Sequence, residues 1–269
     1  MNAQLNDLLN LFFRWAHVVA GITWIGHLYF FNWVNGPFQG KIDGPTKKLV
    51  NPELMPRALF WFRWGAAWTW ITGILLAGLI YYQTRTVLFE DQFQNNNPWL
   101  WLAITLIVWA AGFVLYNAIM KSLANKVVGA AICLVLYAGV WLLLEHVGHY
   151  SGRALYIHGG ATFGTIMALN VWMVIWPYQK KIITALKDGS PLPATDPIVT
   201  TAGLRSRHNT YMSVPLVFFM ISNHYPTMYA YNPIMGVIPS RDLCALGVIV
   251  VGFIAVRLMY GKAGKVPGF

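Results

Sequence analysis

Seven long apolar runs divide this chain, at about residues 8–34, 58–83, 98–120, 127–148, 154–177, 210–224 and 241–260. That pattern constrains the fold more than any motif does. A bilayer span needs roughly 20 apolar residues, and a water-soluble core in a chain of 269 residues cannot hide so many such runs. Only 10% of the residues are charged, against about 25% in ordinary soluble domains. The pattern predicts an all-α integral membrane protein, a bundle of about seven transmembrane helices that forms one domain over residues 1–269. The sixth run is short and carries Pro215, which membrane helices tolerate where neighbours satisfy the freed carbonyl. The first run outlasts a signal-peptide core, and no small-residue cleavage site follows it, so it reads as a retained span.

The loops predict an orientation. One side collects Lys41, Lys47, Lys48 and Arg57, then Lys121 and Lys126. It also collects Lys180, Lys181, Lys187, Arg205 and Arg207, then Lys262 and Lys265. The other side has only Arg85, Arg153 and Arg241, with Glu90 and Asp91 near the first. By the positive-inside rule the N-terminus is periplasmic and the C-terminus cytoplasmic, a parity that seven spans require. Segment 178–209, with Pro191, Pro193 and Pro197, is the one long connection and falls on the cytoplasmic side. The net charge of +10 is then a topology signal. The expected partner is the lipid bilayer, with no nucleic acid. Tryptophan and tyrosine gather near span ends, as in 81-YY-82, 99-WLW-101 and 172-WMVIWPY-178, the pattern of an interfacial belt.

The two cysteines, Cys133 and Cys244, stand singly in apolar runs, without CxxC or CxxCH. That excludes covalent haem c, thiolate metal sites and iron–sulfur ligation. Histidine is the remaining cofactor chemistry. On this topology His17, His146, His149, His158 and His224 fall in the outer half of the membrane, and His27 and His208 toward the cytoplasm. Ionisable residues at membrane depth are costly and usually functional. Imidazoles in a helical bundle suit haem b. Copper would want a His/Cys/Met set. Zinc would have only Glu145 beside His146.

Glycine near histidine makes room for a flat ring. Gly21 lies one turn from His17, and 158-HGGATFG-164 sets Gly159, Gly160 and Gly164 beside His158. Gly160 and Gly164 equally form a GxxxG packing motif, and both readings stand. His17 and His27 are ten residues apart, roughly 15 Å along a helix, too far to share an iron. His146 and His149 share a helix face and suit a proton relay. The preferred axial candidates are His17 and His158, with His224 next. Arg63, about six residues into the second span, either snorkels to the interface or balances an anionic propionate or substrate. Arg14 has the same two readings.

The runs 14-RWAHVVAGITWIG-26, 52-PELMPRALFWFRWGAAWTWITG-73, 152-GRALYIHGGATFGTIMALNVWMVIWPYQKK-181 and 205-RSRHNTYMSVPLVFFMISNHYP-226 resemble the membrane domain of the bacterial cytochrome-c-linked urate oxidases. The resemblance implies a multi-pass protein of the bacterial inner membrane with an oxidase site and electron transfer to a c-type cytochrome. The histidines on those motifs are His17, His158, His208 and His224. His27, His146 and His149 are not placed by it. Typical members continue through one more span into a fused cytochrome c, whereas this sequence ends at 260-YGKAGKVPGF-269. Two functions are therefore expected. The first is a haem-b membrane oxidoreductase of the urate oxidase type that passes electrons to a separate c-type cytochrome. The alternative is a non-catalytic, haem-carrying or anchoring subunit of a larger electron-transfer complex. In the first, His17 and His158 hold iron with Gly21 and Gly160 beside them. His224 is ligand or acid–base group, Arg63 balances anionic charge, and His208 is a cytoplasmic-side ligand or an interfacial anchor.

Overall fold

The computed structural model describes residues 2–84, 86–229 and 241–267; Arg85, one of the loop arginines above, lies outside them. No strand occurs among the described residues beyond one isolated bridge, Phe89 to Tyr150. Seven long helices are described: α1 Ala3–Gln39, α2 Gly44–Tyr82, α3 Pro98–Ser122, α4 Lys126–Val147, α5 Gly152–Lys187, α6 Pro197–Ile221 and α7 Arg241–Ala263. Local chemistry sets their starts. Asn97 accepts hydrogen bonds from the Trp99 and Leu100 amides ahead of Pro98, and Asn125 accepts from Val127 and Val128. Asp196 accepts from the Ile198 amide ahead of Pro197. Each is an N-cap that satisfies donors a helix start leaves open.

Six of the seven are long and apolar enough to cross a membrane. The exception is α6, the predicted sixth span. It has 25 residues, enough to cross, but its first half carries Arg205, Arg207, His208 and Asn209, which offset the apolar stretch that follows. The expected connection 178–209 is mostly helical as well, since α5 continues to Lys187 and α6 starts at Pro197. The helices differ greatly in burial. In the most apolar window of α5, 61% of residues are buried, against 6% in α1. α5 is therefore the core helix, and α1 keeps an apolar face (Leu8, Leu11, Trp15, Val18, Ile22) exposed.

The chain forms two compact units. The first comprises Met1–Asn10, Ile74–Ile166 and Leu216–Val248, the second Leu11–Gly73, Met167–Pro215 and Ile249–Phe269. The first has an aromatic core in which Tyr81, Tyr82, Phe89, Tyr150, Tyr156 and Phe219 are fully buried. A Cβ on Gly159 would lie 2.6 Å from the Trp141 ring, and one on Gly160 2.8 Å from Phe219 Cβ. Those glycines admit protein aromatics. Of the two readings open for this motif, the packing of helices is the one the contacts show.

The second unit is more polar inside. Asn170 donates to Asn209 Oδ1 at 2.9 Å, and Asn209 donates to the Met167 carbonyl at 2.9 Å. Asn32 donates to Ser206 and accepts from the Tyr260 hydroxyl, and Tyr29 meets Ser213 at 3.1 Å. Without water, such groups must find partners within the protein. α1 and α2 approach closely here, because a Cβ on Gly65 would lie 3.0 Å from the Trp24 amide nitrogen. Gly252 likewise leaves space for the Pro215 ring, 2.9 Å from where its Cβ would be.

Candidate functional site

His17 sits on the α1–α2 contact of the second unit. Its Nδ1 lies 2.8 Å from the Thr69 carbonyl and 3.2 Å from Thr72 Oγ1. A carbonyl only accepts, so Nδ1 carries the proton and Nε2 keeps its lone pair. Gly73 makes this possible, since a Cβ there would stand 3.0 Å from His17 Cε1. Gly21, one turn on, faces the same threonine; its missing Cβ would be 3.9 Å from Thr69 Cγ2. Positions 17, 21 and 24 thus form one stripe on α1, and 65, 69, 72 and 73 its complement on α2.

His158 sits in the first unit and is 1% exposed. Its Nδ1 donates to the Ala154 carbonyl at 2.7 Å, and its Nε2 meets the Tyr82 hydroxyl at 2.8 Å. Tyr82 then meets Tyr150 at 3.1 Å, and Tyr150 meets Thr105 at 3.0 Å. Trp109, at 6.2 Å from the imidazole, donates to Thr162, whose hydroxyl donates to the His158 carbonyl. Tyr150 lies between spans, and burial pushes its phenol above the usual tyrosine range, so it remains a protonated donor. The result is a closed, buried chain of hydroxyls that ends on an imidazole.

The first unit also holds a cleft of about 790 Å³, lined by Glu90, Glu145, His146, His149, Arg153 and Arg241 among others. Arg241 Nε donates to Glu145 Oε1 at 2.6 Å, and its Nη2 reaches Glu90 at 3.2 Å. Glu145 Oε2 is buried and has no hydrogen-bond partner among the described residues; His146 Nε2 is 3.8 Å from it. His149 has φ +53°, a left-handed conformation uncommon outside glycine. Its ring stacks on Phe93 at 3.5 Å. Glu145 and His146 lie on a π-helical segment, Leu143–Val147, and Tyr81 and Tyr82 on another, Gly78–Tyr82. Such widened turns often mark functional positions.

The remaining predicted residues are dispersed. His224 ends the turn Ser222–His224 in the first unit and is exposed. Its neighbour Asn223 is the anchored one, accepting from the Tyr81 hydroxyl and Arg153 Nε. His208, in the second unit, is half-buried beside the fully buried Asn209. Arg63, also in the second unit, lies over the Trp176 ring at 4.2 Å. His27 bonds locally, to the Thr23 carbonyl. Sequence reasoning missed the Tyr82–Tyr150–Thr105 chain, because 81-YY-82 looked like interfacial belt. It also missed the Glu90–Arg241–Glu145 cluster, whose members are 151 and 96 positions apart.

A haem suits the donor chemistry at His17, where Nδ1 is anchored on a carbonyl and Nε2 is a lone-pair donor, as in metal-bound imidazoles. The surroundings of His158 do not suit it as they stand, because the Tyr82 hydroxyl holds Nε2 and four aromatic rings enclose the imidazole. No group of three or more His, Cys, Asp or Glu side chains placed to hold a metal ion occurs among the described residues.

The model of one protein family, described as urate oxidase N-terminal, matches residues 3–45 and 39–262. No curated protein and no solved structure matches. The family match runs through α1 to α7, including both anchored histidines and the cleft, and the chain belongs to the urate oxidase N-terminal family.

Proposed function

We propose that this chain is the membrane part of a urate-oxidising system, with haem b on His17 and electrons delivered to a c-type cytochrome. The observation that carries the reading is the His17 geometry, a lone-pair Nε2 fixed by the Thr69 carbonyl within a chain of this family. Haem supplies one-electron chemistry when bound. The protein contributes the orientation of the imidazole through Thr69, Thr72 and Gly73. For an anionic purine-like substrate, the cleft of the first unit offers Arg153 as a cation and the unpartnered Glu145 oxygen as an acceptor of ring N–H groups. Exposed His224 is positioned to exchange protons with solvent.

In this reading α6 completes seven spans with its basic half at the cytoplasmic surface. The N-terminus is periplasmic and the membrane is the bacterial inner membrane. The test is gentle purification, a pyridine haemochrome assay, and urate turnover with a soluble c-type cytochrome as acceptor. Stoichiometric b-type haem with urate-dependent cytochrome reduction is expected. Haem without turnover in the presence of the acceptor favours the electron-carrying subunit. A protein free of iron overturns the haem assignment.

A further inference from the structure

Arg63 lies within α2, in the second unit, well inside a helix that reads as membrane-crossing. A guanidinium has five N–H donors and no acceptor. Here its carbon stands 4.2 Å from the Trp176 ring centroid, 5.7 Å from Trp172 and 5.8 Å from Phe60. Trp172 donates its indole N–H to the Arg63 carbonyl at 2.9 Å, which fixes the ring and with it the cradle. The π faces attract the cation but offer its N–H groups no lone-pair acceptor of their own. Nε is buried with no hydrogen-bond partner, and no ion pair among the described residues includes Arg63. A guanidinium held by ring faces, with its Nε buried and unbonded, calls for an anion from outside the chain.

We propose that Arg63, with Phe60, Trp172 and Trp176, binds the phosphate of an anionic phospholipid. Arginine matches phosphate oxygens with paired N–H groups, and phosphodiesters are the abundant anions at the depth where tryptophans gather. Trp172, Trp176 and Lys180 fall at i, i+4 and i+8, one face of α5, and Lys180 is exposed. A second positive charge beyond the cradle favours a lipid of net negative charge over a zwitterionic one. Phe60 and Trp64 are 46% and 38% exposed, leaving apolar surface along which acyl chains can lie. The site goes beyond the redox reading and does not depend on it.

Native mass spectrometry of the full chain in mild detergent tests this, with phosphatidylglycerol and phosphatidylcholine supplied in turn. The wild type should retain one phosphatidylglycerol per chain in preference to phosphatidylcholine. R63Q should lower that retention about tenfold, the worth of one charge-assisted pair, and R63K should fall between. W176L removes the cradle and keeps the cation, so it serves if R63Q does not fold; it should also lose lipid. Equal retention by wild type and variants, or no preference between headgroups, overturns the site. If R63Q keeps its lipid but loses haem or urate binding, Arg63 faces a cofactor propionate or the anionic purine instead.

Discussion

His17 and His158 share one anchor and differ in everything beyond it. Each points Nδ1 at a backbone carbonyl, Thr69 for one and Ala154 for the other, at 2.8 and 2.7 Å. At His158 the second nitrogen is taken by Tyr82, and the ring is sealed among aromatics. At His17 the glycine opposite the ring makes room for it, and Nε2 stays a lone-pair donor. A fully satisfied buried network rigidifies a core, whereas the proposed haem on His17 needs an imidazole with one nitrogen still open. The same residue type is therefore sealed by bonds at both ring nitrogens in one unit and anchored through Nδ1 in the other.

The sharpest way to break this comparison is to delete each histidine. H17A should abolish the b-type signal in reduced-minus-oxidised spectra, while H158A should keep most of it. In turn H158A should cost about 2–4 kcal/mol of stability, from the cavity and the orphaned Tyr82 hydroxyl, and H17A clearly less. Bleaching by H158A with colour retained in H17A would invert the assignment. The glycines give a smaller contrast. G159A drives a Cβ into Trp141 and should destabilise by about 1–3 kcal/mol, read as a lower midpoint in denaturant. G73A presses on His17 and should shift the absorbance spectrum more than the midpoint. The smallest effect belongs to Y82F, which removes one hydrogen bond worth about 1 kcal/mol and frees His158 Nε2. Haem stoichiometry should stay unchanged in Y82F; a gain of haem would show that His158 is a latent ligand held shut by Tyr82.

Much of the architecture was legible in the sequence because membrane spans announce themselves by length and apolarity alone. The family was legible too, since its motifs are long and local, each within one helix or one helix junction. The sixth run was the hardest to read, and α6 is the one long helix among the described residues that falls short of the apolarity of a span. Its first half is built around Asn209, which bridges Asn170 and the Met167 carbonyl, and polar groups that satisfy one another inside a bundle lower hydropathy without forbidding burial. In 205–226 the histidines drew attention, yet the asparagines beside them tie separate helices together, Asn209 to Asn170 and Asn223 to Tyr81 and Arg153. Histidine is conspicuous by chemistry, whereas the role of an asparagine shows only when its partner is in place.

By itself, then, the sequence determined an all-helical, membrane-type chain and its family, and it offered a short list of candidate histidines and arginines. Those follow from composition, periodicity and local motifs, which need no knowledge of what touches what. Tertiary structure alone decided that the Nε2 lone pair of His158 is engaged by Tyr82, and that the glycines by His158 admit Trp141 and Phe219. It alone drew Glu90, Glu145 and Arg241 into one cluster. The physical reason is that hydrogen bonds and close packing are pairwise and directional. Residues 76 positions apart, such as Tyr82 and His158, acquire a function together only once the fold has set their distance.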